Sequence, residues 1–422
     1  MTKLFSLFYK TKGVCTDTRN IIPDSLFIAL KGKKFNGNLF AEKAIRKGAK
    51  FAIVDQEEYS NNVNIFFVQN TLDFLQGLAR YHRDKFNIPV IGITGSNGKT
   101  STKELIYSVL SKKFNTIATE GNLNNHFGVP FTLLRIKKEH EIAIIEMGAN
   151  QPGDIQELCE IACPTHGIIT NIGKAHLEGF GNLEGVVKTK SALYNAVRKK
   201  KGVLFYSEDD VILKSLLDNT TENISYGKEN ATVTGRILEL TPFISMSWRS
   251  SSYTSKNIHT KMVGNYNFYN FLAAICIGNY FGIKASHISG AIATYEPDNI
   301  RSQVIETKRN TLIVDCYNAN PTSMMLALES FNEFHHDNKI AILGDMLELG
   351  EESDVEHQKI IDYCEGNNIA FFTVGPIFQK LRTEGAYQTV GELTQELVRI
   401  NKSAILLKGS RAIQLEKLIR QL

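Results

Sequence analysis

The stretch GITGSNGKTSTKEL, from Gly92 to Leu105, decides the fold class of this chain. It continues the apolar run IPVIGIT, which is typical of a strand buried on both faces of a parallel sheet. Gly95 and Gly98 let backbone N–H groups approach phosphate oxygens without a clash from a Cβ atom. The Gly-Lys-Thr that follows opens a helix, and the N-terminus of a helix attracts anions. The sequence therefore predicts a phosphate-binding loop after a buried strand.

The spacing of this loop differs from that of the common P-loop. The common pattern places four residues between its first glycine and the Gly-Lys pair. That glycine would stand at position 93, which is Ile93, whereas the glycines here are Gly92 and Gly95. Lys99 is still placed to neutralise phosphate charge, and the Thr100 hydroxyl to ligate Mg²⁺. A turn that merely joins strand to helix is the alternative, and Gly-Lys-Thr straight after a buried strand disfavours it.

Three segments follow one another along the chain. Residues 1–84 hold the strand candidates SLFIAL, FAIVD and IFFVQ and a helix from Thr71 to Phe86, with Thr71 as its N-cap. Residues 85–297 alternate buried strands, among them EIAIIEM, HGIITNI and VLFYS, with helices, and then make an antiparallel excursion. Residues 298–422 hold four more buried strands, TLIVDCY, KIAILGD, IAFFTVG and SAILLKG.

This order of elements predicts an α/β protein of three domains. A small α/β N-terminal domain covers residues 1–84, and a central P-loop-type parallel sheet covers 85–297. A smaller, doubly wound Rossmann-like domain covers 298–422.

Composition argues against several classes of protein. With 48 basic and 44 acidic residues, the chain is too balanced in charge to favour a nucleic-acid partner. Its six cysteines form no CxxC pair, which is typical of buried thiols in a reducing cytosol. The start MTKLFSLFYK lacks the apolar core of a signal peptide, and no apolar run approaches the length of a membrane span. We therefore expect a cytoplasmic enzyme without membrane insertion. A monomer is also expected.

Polar residues at or after the ends of two other buried strands are candidates for the site. Glu146 ends AIIEM, where ligands bind in open α/β sheets, and could hold Mg²⁺; a capping or surface glutamate is the alternative. His176 lies in the loop after the strand Gly167–Asn171 and is a candidate metal ligand or acid–base group, although a lone histidine is more often structural. Lys188 and Lys190 follow on a helix.

Several of these motifs, taken together, resemble the Mur ligase family. They are TGSNGKTST, EMGANQPGDI, NIGKAHLEGFG and KTKSALY. The family carries the shorter T-G-x-N-G-K-T loop, which accounts for Ile93. Further stretches are similar to the branch that adds D-alanyl-D-alanine to a UDP-muramoyl tripeptide: GNLNNHFGVPFTLL, DCYNANPTSM, LGDMLELGEES and, near the N-terminus, DTR with DSLFIALKG. The resemblance spans nearly the whole chain, in the same order.

The resemblance implies an ATP-dependent amide ligase of cytoplasmic peptidoglycan precursor synthesis. The terminal carboxylate of UDP-N-acetylmuramoyl tripeptide would attack the γ-phosphate of ATP and form an acyl phosphate. The amine of D-alanyl-D-alanine would then attack that carbonyl, leaving an amide, ADP and phosphate. Because the reacting partners are both anionic, positioning and cations should dominate catalysis. ATP and two Mg²⁺ ions are the implied cofactors.

The resemblance also implies roles around the phosphates. ATP would be held by the loop residues Gly95, Ser96, Asn97, Gly98, Lys99, Thr100 and Ser101. The catalytic groups would be Lys99, Glu146, His176 and Lys190, and the metal ligands Thr100, Glu146, His176 and Lys190. Lys190 matches a lysine that the family carries as a carbamate. Nearby cations lower the pKa of a lysine, and the neutral amine can add CO₂; an ordinary exposed lysine is the alternative, and we expect Lys188 to be one.

Other implied roles lie further along the chain. Asn267 and Asn270, three apart on one helix, match residues that contact adenine; a helix-capping amide is the alternative for Asn267. Arg301 and Asp315 match positions that reach the γ-phosphate and the ribose. The implied substrate-binding residues are Asp17, Thr18 and Arg19 for the UDP-sugar, with Asn122, Asn125, Asn318 and Asn320. Lys408, Ser410 and Arg411 are weaker candidates at the same cleft.

Two alternatives to this function remain open at this point. A neighbouring ligase of the superfamily, either another muramoyl-peptide ligase or a folylpolyglutamate synthetase, is disfavoured by DTR and DCYNANP. A nucleotide-binding regulatory protein without catalysis is disfavoured by the intact candidate residues.

Overall fold

The computed structural model describes residues 2–32 and 35–422. The first unit is built on a parallel sheet in the order β1-β2-β5-β6, with a small hairpin of β3 and β4 beside it. Its strands are β1 (Val14–Cys15), β2 (Leu26–Ile28), β3 (Lys31–Gly32), β4 (Phe35–Asn36), β5 (Phe51–Val54) and β6 (Ile65–Phe67). Its helices are α1 (Thr2–Phe5), α2 (Ala41–Arg46) and α3 (Thr71–Arg83), with 3₁₀ turns at Phe8–Lys10, Gly37–Phe40 and Glu57–Tyr59.

Helix α3 corrects one detail of the sequence analysis. The expected helix is present, but it ends at Arg83 rather than at Phe86. Its N-cap is Asn70, whose side chain accepts the backbone N–H groups two and three residues later. The Thr71 hydroxyl instead donates to the carbonyl of Ala29 at 2.9 Å. Thr71 is therefore the first helical residue, used to tie the helix to the sheet.

The central unit carries a larger sheet in the order β15-β14-β13-β12-β11-β10-β7-β9-β8, with β16 paired to β14. Its strands are β7 (Val90–Thr94), β8 (Thr116–Ala118), β9 (Ile142–Glu146), β10 (His166–Ile169), β11 (Val203–Ser207), β12 (Glu222–Gly227), β13 (Val233–Glu239), β14 (Ser245–Ser250), β15 (Tyr253–Thr254) and β16 (Ile258–His259). Its helices are α4 (Lys99–Leu110), α5 (Gly128–Leu134), α6 (Asp154–Ala162), α7 (Leu177–Phe180), α8 (Leu183–Lys199), α9 (Val211–Ser215), α10 (Asn267–Tyr280) and α11 (Ala285–Thr294).

The register of this sheet positions the site. Strand β7 is buried along its whole length and pairs in parallel with β9 on one side and β10 on the other. Ile93 lies opposite Glu146, and Thr94 lies opposite Ile169. The carboxyl ends of these strands therefore meet at one edge of the sheet, where ligands bind in α/β folds. The expected antiparallel excursion is β13 paired with β14.

The C-terminal unit is a third sheet in the order β17-β18-β22-β19-β20-β21, parallel except for β17 against β18. Its strands are β17 (Gln303–Glu306), β18 (Thr311–Val314), β19 (Lys339–Gly344), β20 (Ala370–Val374), β21 (Ala386–Tyr387) and β22 (Ala404–Lys408). Its helices are α12 (Pro321–Asn332), α13 (Ser353–Gly366), α14 (Pro376–Leu381) and α15 (Val390–Leu397), with 3₁₀ turns at Gly350–Glu352, Arg411–Ile413 and Leu415–Arg420.

The predicted α/β class with a central parallel sheet is confirmed. The limits 1–84, 85–297 and 298–422 stay predictions. The first two units share a hydrophobic core in which α3 packs against α5 and α6. All six cysteines are free and buried, as expected. Over residues 2–32 and 35–422, no helix combines the length and the apolar character that crossing a membrane requires.

Candidate active site

A cleft of about 520 Å³ lies between the central and C-terminal sheets. The central unit contributes the phosphate loop, the end of β9 and the start of α10, and the C-terminal unit contributes the ends of β18 and β22 and the start of α12. The predicted site residues on its walls are Ser96, Asn97, Gly98, Lys99, Thr100, Ser101, Asn125, Glu146, His176, Asn267, Asn270, Arg301, Asp315, Asn318, Asn320 and Lys408. The fold thus brings together residues that lie more than two hundred positions apart in sequence.

The phosphate loop is held in shape by the residues that follow β10, the strand next to β7. Gly95 has φ 149° and Gly98 has φ 78°, and a Cβ atom on Gly95 would collide with the hydroxyl of Thr170. Side chains with a Cβ rarely adopt such angles, so glycine is required at both positions. The Asn97 N–H donates to the side chain of Asn171 at 3.0 Å. The loop is therefore shaped by β10 and the residues that follow it as much as by its own sequence.

Lys99 folds back over this loop. Its Nζ donates to the carbonyls of Gly95 at 2.7 Å and Ser96 at 3.3 Å. Burial, with a smaller contribution from Arg301, lowers the pKa of Lys99 to about 8, although Glu146 acts in the opposite direction. The ammonium is still mostly charged at neutral pH. It places a positive charge in the loop that is predicted to bind phosphate.

Glu146 is the strongest candidate for a metal ligand. It is 1% exposed at the end of β9. Its Oε1 accepts the Thr100 hydroxyl at 3.2 Å and the Asn124 amide at 2.8 Å. Its Oε2 is buried without a hydrogen-bond partner among the described residues. A buried carboxylate oxygen without a donor is costly, and a hard cation such as Mg²⁺ would satisfy it. Carboxylate and hydroxyl oxygens side by side thus fit Mg²⁺.

Lys190 lies behind the phosphate loop rather than on the wall of the cleft. It is 1% exposed, and its Nζ donates to the carbonyl of Gly95 at 3.1 Å. Burial first, and the charge of Lys99 second, hold its pKa well below the usual value for lysine. The neutral amine that carbamate formation requires is therefore favoured here. Lys188 is exposed, as expected, and the exposed-lysine alternative is wrong for Lys190.

His176 reaches the cleft from the turn before α7, with φ 51°. Its Nδ1 contacts the carboxylate of Glu348, which belongs to the C-terminal unit. Within the described chain no three His, Cys, Asp or Glu side chains converge into a ready metal cage. The expected ligand set differs from such a cage, because it combines Glu146 and His176 with a hydroxyl and a modified lysine.

Asn267 and Asn270 pack beside the phosphate loop as one unit. Both are buried, and the Asn270 amide donates to Asn267 Oδ1 at 2.8 Å. The Thr102 hydroxyl donates to Asn270 Oδ1 at 3.0 Å, which fixes α10 against α4. A Cβ atom on Gly98 would come within 2.7 Å of Asn270 Oδ1. The asparagine pair is therefore in direct reach of a nucleotide on the loop.

The C-terminal wall presents fixed charges. The Arg301 guanidinium stacks 3.7 Å from the ring centroid of Tyr317. Lys408, 2% exposed, pairs with Asp315 at 2.7 Å. Asn320 caps α12, and its Nδ2 donates to Asn97 Oδ1 at 2.7 Å. This amide contact joins the phosphate loop directly to the opposite wall.

Three family models of the Mur ligases match this chain in order. The Mur ligase family catalytic domain matches residues 10–83, the middle domain 93–278 and the glutamate ligase domain 300–412. A UDP-N-acetylmuramoyl-tripeptide--D-alanyl-D-alanine ligase of Bacillus subtilis (strain 168) is 33% identical over 97% of this chain and 93% of its own length. This chain belongs to the Mur ligase family. The protein of the same name from Escherichia coli (strain K12) is 30% identical to this Mur ligase over 97% of the chain and 93% of its own length.

Solved structures of Mur ligases share the fold. MurF from Acinetobacter baumannii superposes with a TM-score of 0.90 at 29% identity, covering 100% of this chain and 98% of the other. MurF ligase from Thermotoga maritima in complex with ADP gives 0.88 at 27% identity, covering 98% and 97%. A folylpolyglutamate synthase from Mycobacterium tuberculosis gives 0.62 at 11% identity over 83% of this chain and 93% of its own, which is a likeness of fold alone.

Some expected residues of this Mur ligase lie away from the cleft. Asp17 and Arg19 pair with each other at 2.7 Å in the loop after β1, and Thr18 is buried between them. Asn122 is exposed in the turn before α5, apart from the residues that line the cleft. Asn125 does line the cleft, but its side chain accepts the backbone N–H groups two and three residues later. The cleft and the expected UDP-sugar segment are thus separate parts of the surface.

Three residues at the site were not predicted from the sequence. Asn124 donates to Glu146, Tyr317 supports Arg301, and Asn171 anchors the phosphate loop. Asn124 stands between the two expected residues of GNLNNHFG, so the motif was a usable signal. Tyr317 and Asn171 also stand in quoted motifs, DCYNANPTSM and NIGKAHLEGFG.

Proposed function

We propose that this Mur ligase joins D-alanyl-D-alanine to UDP-N-acetylmuramoyl tripeptide with the conversion of ATP to ADP and phosphate. One observation carries the proposal. Relatives that bear this name match the chain over 97% of its length. The matched part includes the cleft, in which the phosphate loop faces a second wall that carries Arg301 and Lys408. ATP use is further supported by the ADP complex of the Thermotoga maritima relative.

The phosphate loop would bind the nucleotide. Its backbone N–H groups and the start of α4 would face the phosphates, and Lys99 would leave the carbonyls of Gly95 and Ser96 to pair with the β- and γ-phosphates. Asn267 and Asn270 would contact adenine, and Asp315 the ribose. Loop residues Asn97, Gly98, Thr100 and Ser101 complete this proposed set.

The transfer step needs the repulsion between two anions to be overcome. The tripeptide carboxylate attacks the γ-phosphorus, and the bond from phosphorus to the ADP oxygen breaks. Arg301 lies on the opposite wall and would face the transferred phosphoryl group. Two Mg²⁺ ions would supply further positive charge, one held by Thr100 and Glu146 and the other, nearer the acceptor carboxylate, by His176. The Lys190 carbamate would be a further metal ligand. These residues would keep the anions in line while the acyl phosphate forms.

The second step uses the C-terminal wall. The amine of D-alanyl-D-alanine attacks the acyl carbonyl, and phosphate leaves. Asn318 and Asn320 line the cleft beside Lys408 and would order the incoming dipeptide. Asp17, Thr18 and Arg19 are proposed to hold the UDP-sugar end of the tripeptide substrate, and Asn122 and Asn125 to bind other parts of the substrates. Since all these groups belong to one chain, we propose that the enzyme acts as a monomer. We also propose that it acts in the cytoplasm, where ATP is available.

Phosphate release from ATP tests the proposal. Release should require both UDP-N-acetylmuramoyl tripeptide and D-alanyl-D-alanine, and Lys99→Met should abolish it. Tripeptides with lysine or diaminopimelate at the third position, assayed side by side, would define the acceptor. Release with one substrate alone would indicate a plain ATPase, and release with a different amino acid in place of the dipeptide would indicate a neighbouring ligase.

A further inference from the structure

The motif LGDMLELGEES has no role in the function described so far. It spans residues 343–353, from the end of β19 to the start of α13. Its loop reaches across to the central unit, where the Glu348 carboxylate contacts Nδ1 of His176. The two residues are 172 positions apart in sequence, and each has a positive φ, 63° for Glu348 and 51° for His176. Both backbones thus adopt uncommon angles at the point of contact.

This contact determines which ring nitrogen of His176 carries the proton. An ionised carboxylate can only accept a hydrogen bond. Nδ1 must therefore be the protonated nitrogen that donates to Glu348, and Nε2 keeps its lone pair in the neutral ring. Because His176 lines the cleft, the contact with Glu348 leaves the Nε2 lone pair for a ligand there. Carboxylates that accept the second N–H of a metal-binding histidine fix its tautomer and its orientation.

Other contacts join the same two units near this point. The backbone N–H of Glu178 donates to the carbonyl of Glu348 at 3.2 Å. Lys174 pairs with Glu356 at 2.8 Å, and its backbone N–H donates to the Thr322 hydroxyl at 3.2 Å. Glu348 is therefore positioned by its backbone as well as by its carboxylate. Its contact with His176 is one of several polar contacts between the central and C-terminal units.

We propose that Glu348 is a positioning residue for His176, supplied by the C-terminal unit to a metal ligand of the central unit. This inference rests on the proposed function, because it takes His176 as a ligand of the Mg²⁺ nearer the acceptor. It adds a condition to that function. The histidine reaches its binding tautomer and orientation only when the C-terminal unit is docked, so this metal site is complete only in the assembled cleft.

A plain ion pair at the interface between units is the competing explanation. Such a pair would contribute to docking and to stability but would not act on metal affinity through His176. The two explanations differ in whether the effects of Glu348 and His176 on metal binding depend on each other. If Glu348 acts through the histidine, its removal has no further effect on metal binding once His176 has been replaced.

Binding of Mn²⁺ by the full-length protein, followed by electron paramagnetic resonance of the free ion, separates them without any turnover. The titration is done with the β,γ-methylene analogue of ATP bound. We expect His176→Gln to weaken one class of bound Mn²⁺ to an affinity that is still measurable, and Glu348→Ala to weaken the same class about 10–100-fold. Glu348→Gln keeps an acceptor oxygen and should lose less. Glu351→Ala removes the same charge from an exposed residue of the same loop and should bind Mn²⁺ as the wild type does.

Three results would contradict these expectations. Wild-type Mn²⁺ binding in both Glu348 variants would overturn the inference, even if their thermal midpoints fell. The inference would also be overturned if Glu348→Ala lowered the Mn²⁺ affinity by the same factor in the His176→Gln variant as in the wild type. The effect of Glu348 would then not pass through the histidine. Unchanged binding in His176→Gln itself would overturn the metal assignment of the proposed function. Loss in His176→Gln without loss in Glu348→Ala would leave that assignment intact.

Discussion

The lowered pKa of Lys99 predicts that nucleotide affinity depends on pH. Burial lowers this pKa to about 8, where an ordinary lysine has about 10.5. A bound phosphate favours the charged ammonium and raises the pKa again. Binding above pH 8 must therefore take up a proton, and the affinity falls as the pH rises through that value. An unperturbed lysine would keep its charge, and the affinity would stay nearly constant over the same range.

The expected size of the effect follows from this pKa. At pH 9, one unit above it, about a tenth of the free protein keeps the ammonium. The Kd for ADP should then be about tenfold higher than at pH 7, which corresponds to about 1.4 kcal/mol. With a pKa near 10.5, the Kd for ADP would change by only roughly a few per cent between pH 7 and pH 9. The two cases are easily distinguished by titration.

Isothermal titration calorimetry with ADP in EDTA, between pH 6.5 and 9.5, measures this without any contribution from metal. Lys99→Met should bind ADP more weakly, with an affinity independent of pH. Lys188→Met, on the exposed face of α8, should keep the wild-type profile. A flat wild-type profile up to pH 9.5 would refute the reasoning. The same slope in Lys99→Met would assign the titration to another group.

Three substitutions give further predictions. Glu146→Gln should lower kcat at least about 100-fold in a phosphate-release assay, since it removes charge from the buried oxygen without a partner, and near-normal kcat would contradict this. Lys190→Ala should lose activity that acetate partly restores, whereas full activity without added acid would count against the carbamate. Asn320→Ala removes the cap of α12 and the link to Asn97, so the free energy of unfolding in urea should fall by about 1 kcal/mol; no change would show that the cap is dispensable.

Local patterns in the sequence were sufficient for most of the fold. The apolar run before the phosphate loop became β7, buried throughout, because a central parallel strand contacts helices on both faces. Helical geometry also separated Lys190 from Lys188, since residues two apart on a helix point in different directions. Element ends were less accurate, as with the cap of α3, because neighbouring polar residues can each cap a helix.

The contacts that complete the site could not be predicted. Asn97 and Asn320 are 223 positions apart, and His176 and Glu348 are 172 apart. Such pairs depend on how two sheets are placed relative to each other, which periodicity does not encode. Asn124 was missed for another reason. Three asparagines occur within four residues, and only the turn geometry decides which of them faces Glu146.

The amide contact between Asn97 and Asn320 has a consequence for inhibitor design. A compound that fills only the phosphate loop competes with abundant ATP and resembles ligands of many other nucleotide-binding proteins. A compound that replaces this contact would engage both walls at once. Its selectivity would come from the side of Asn320 and Lys408, a surface that the phosphate loop alone does not provide.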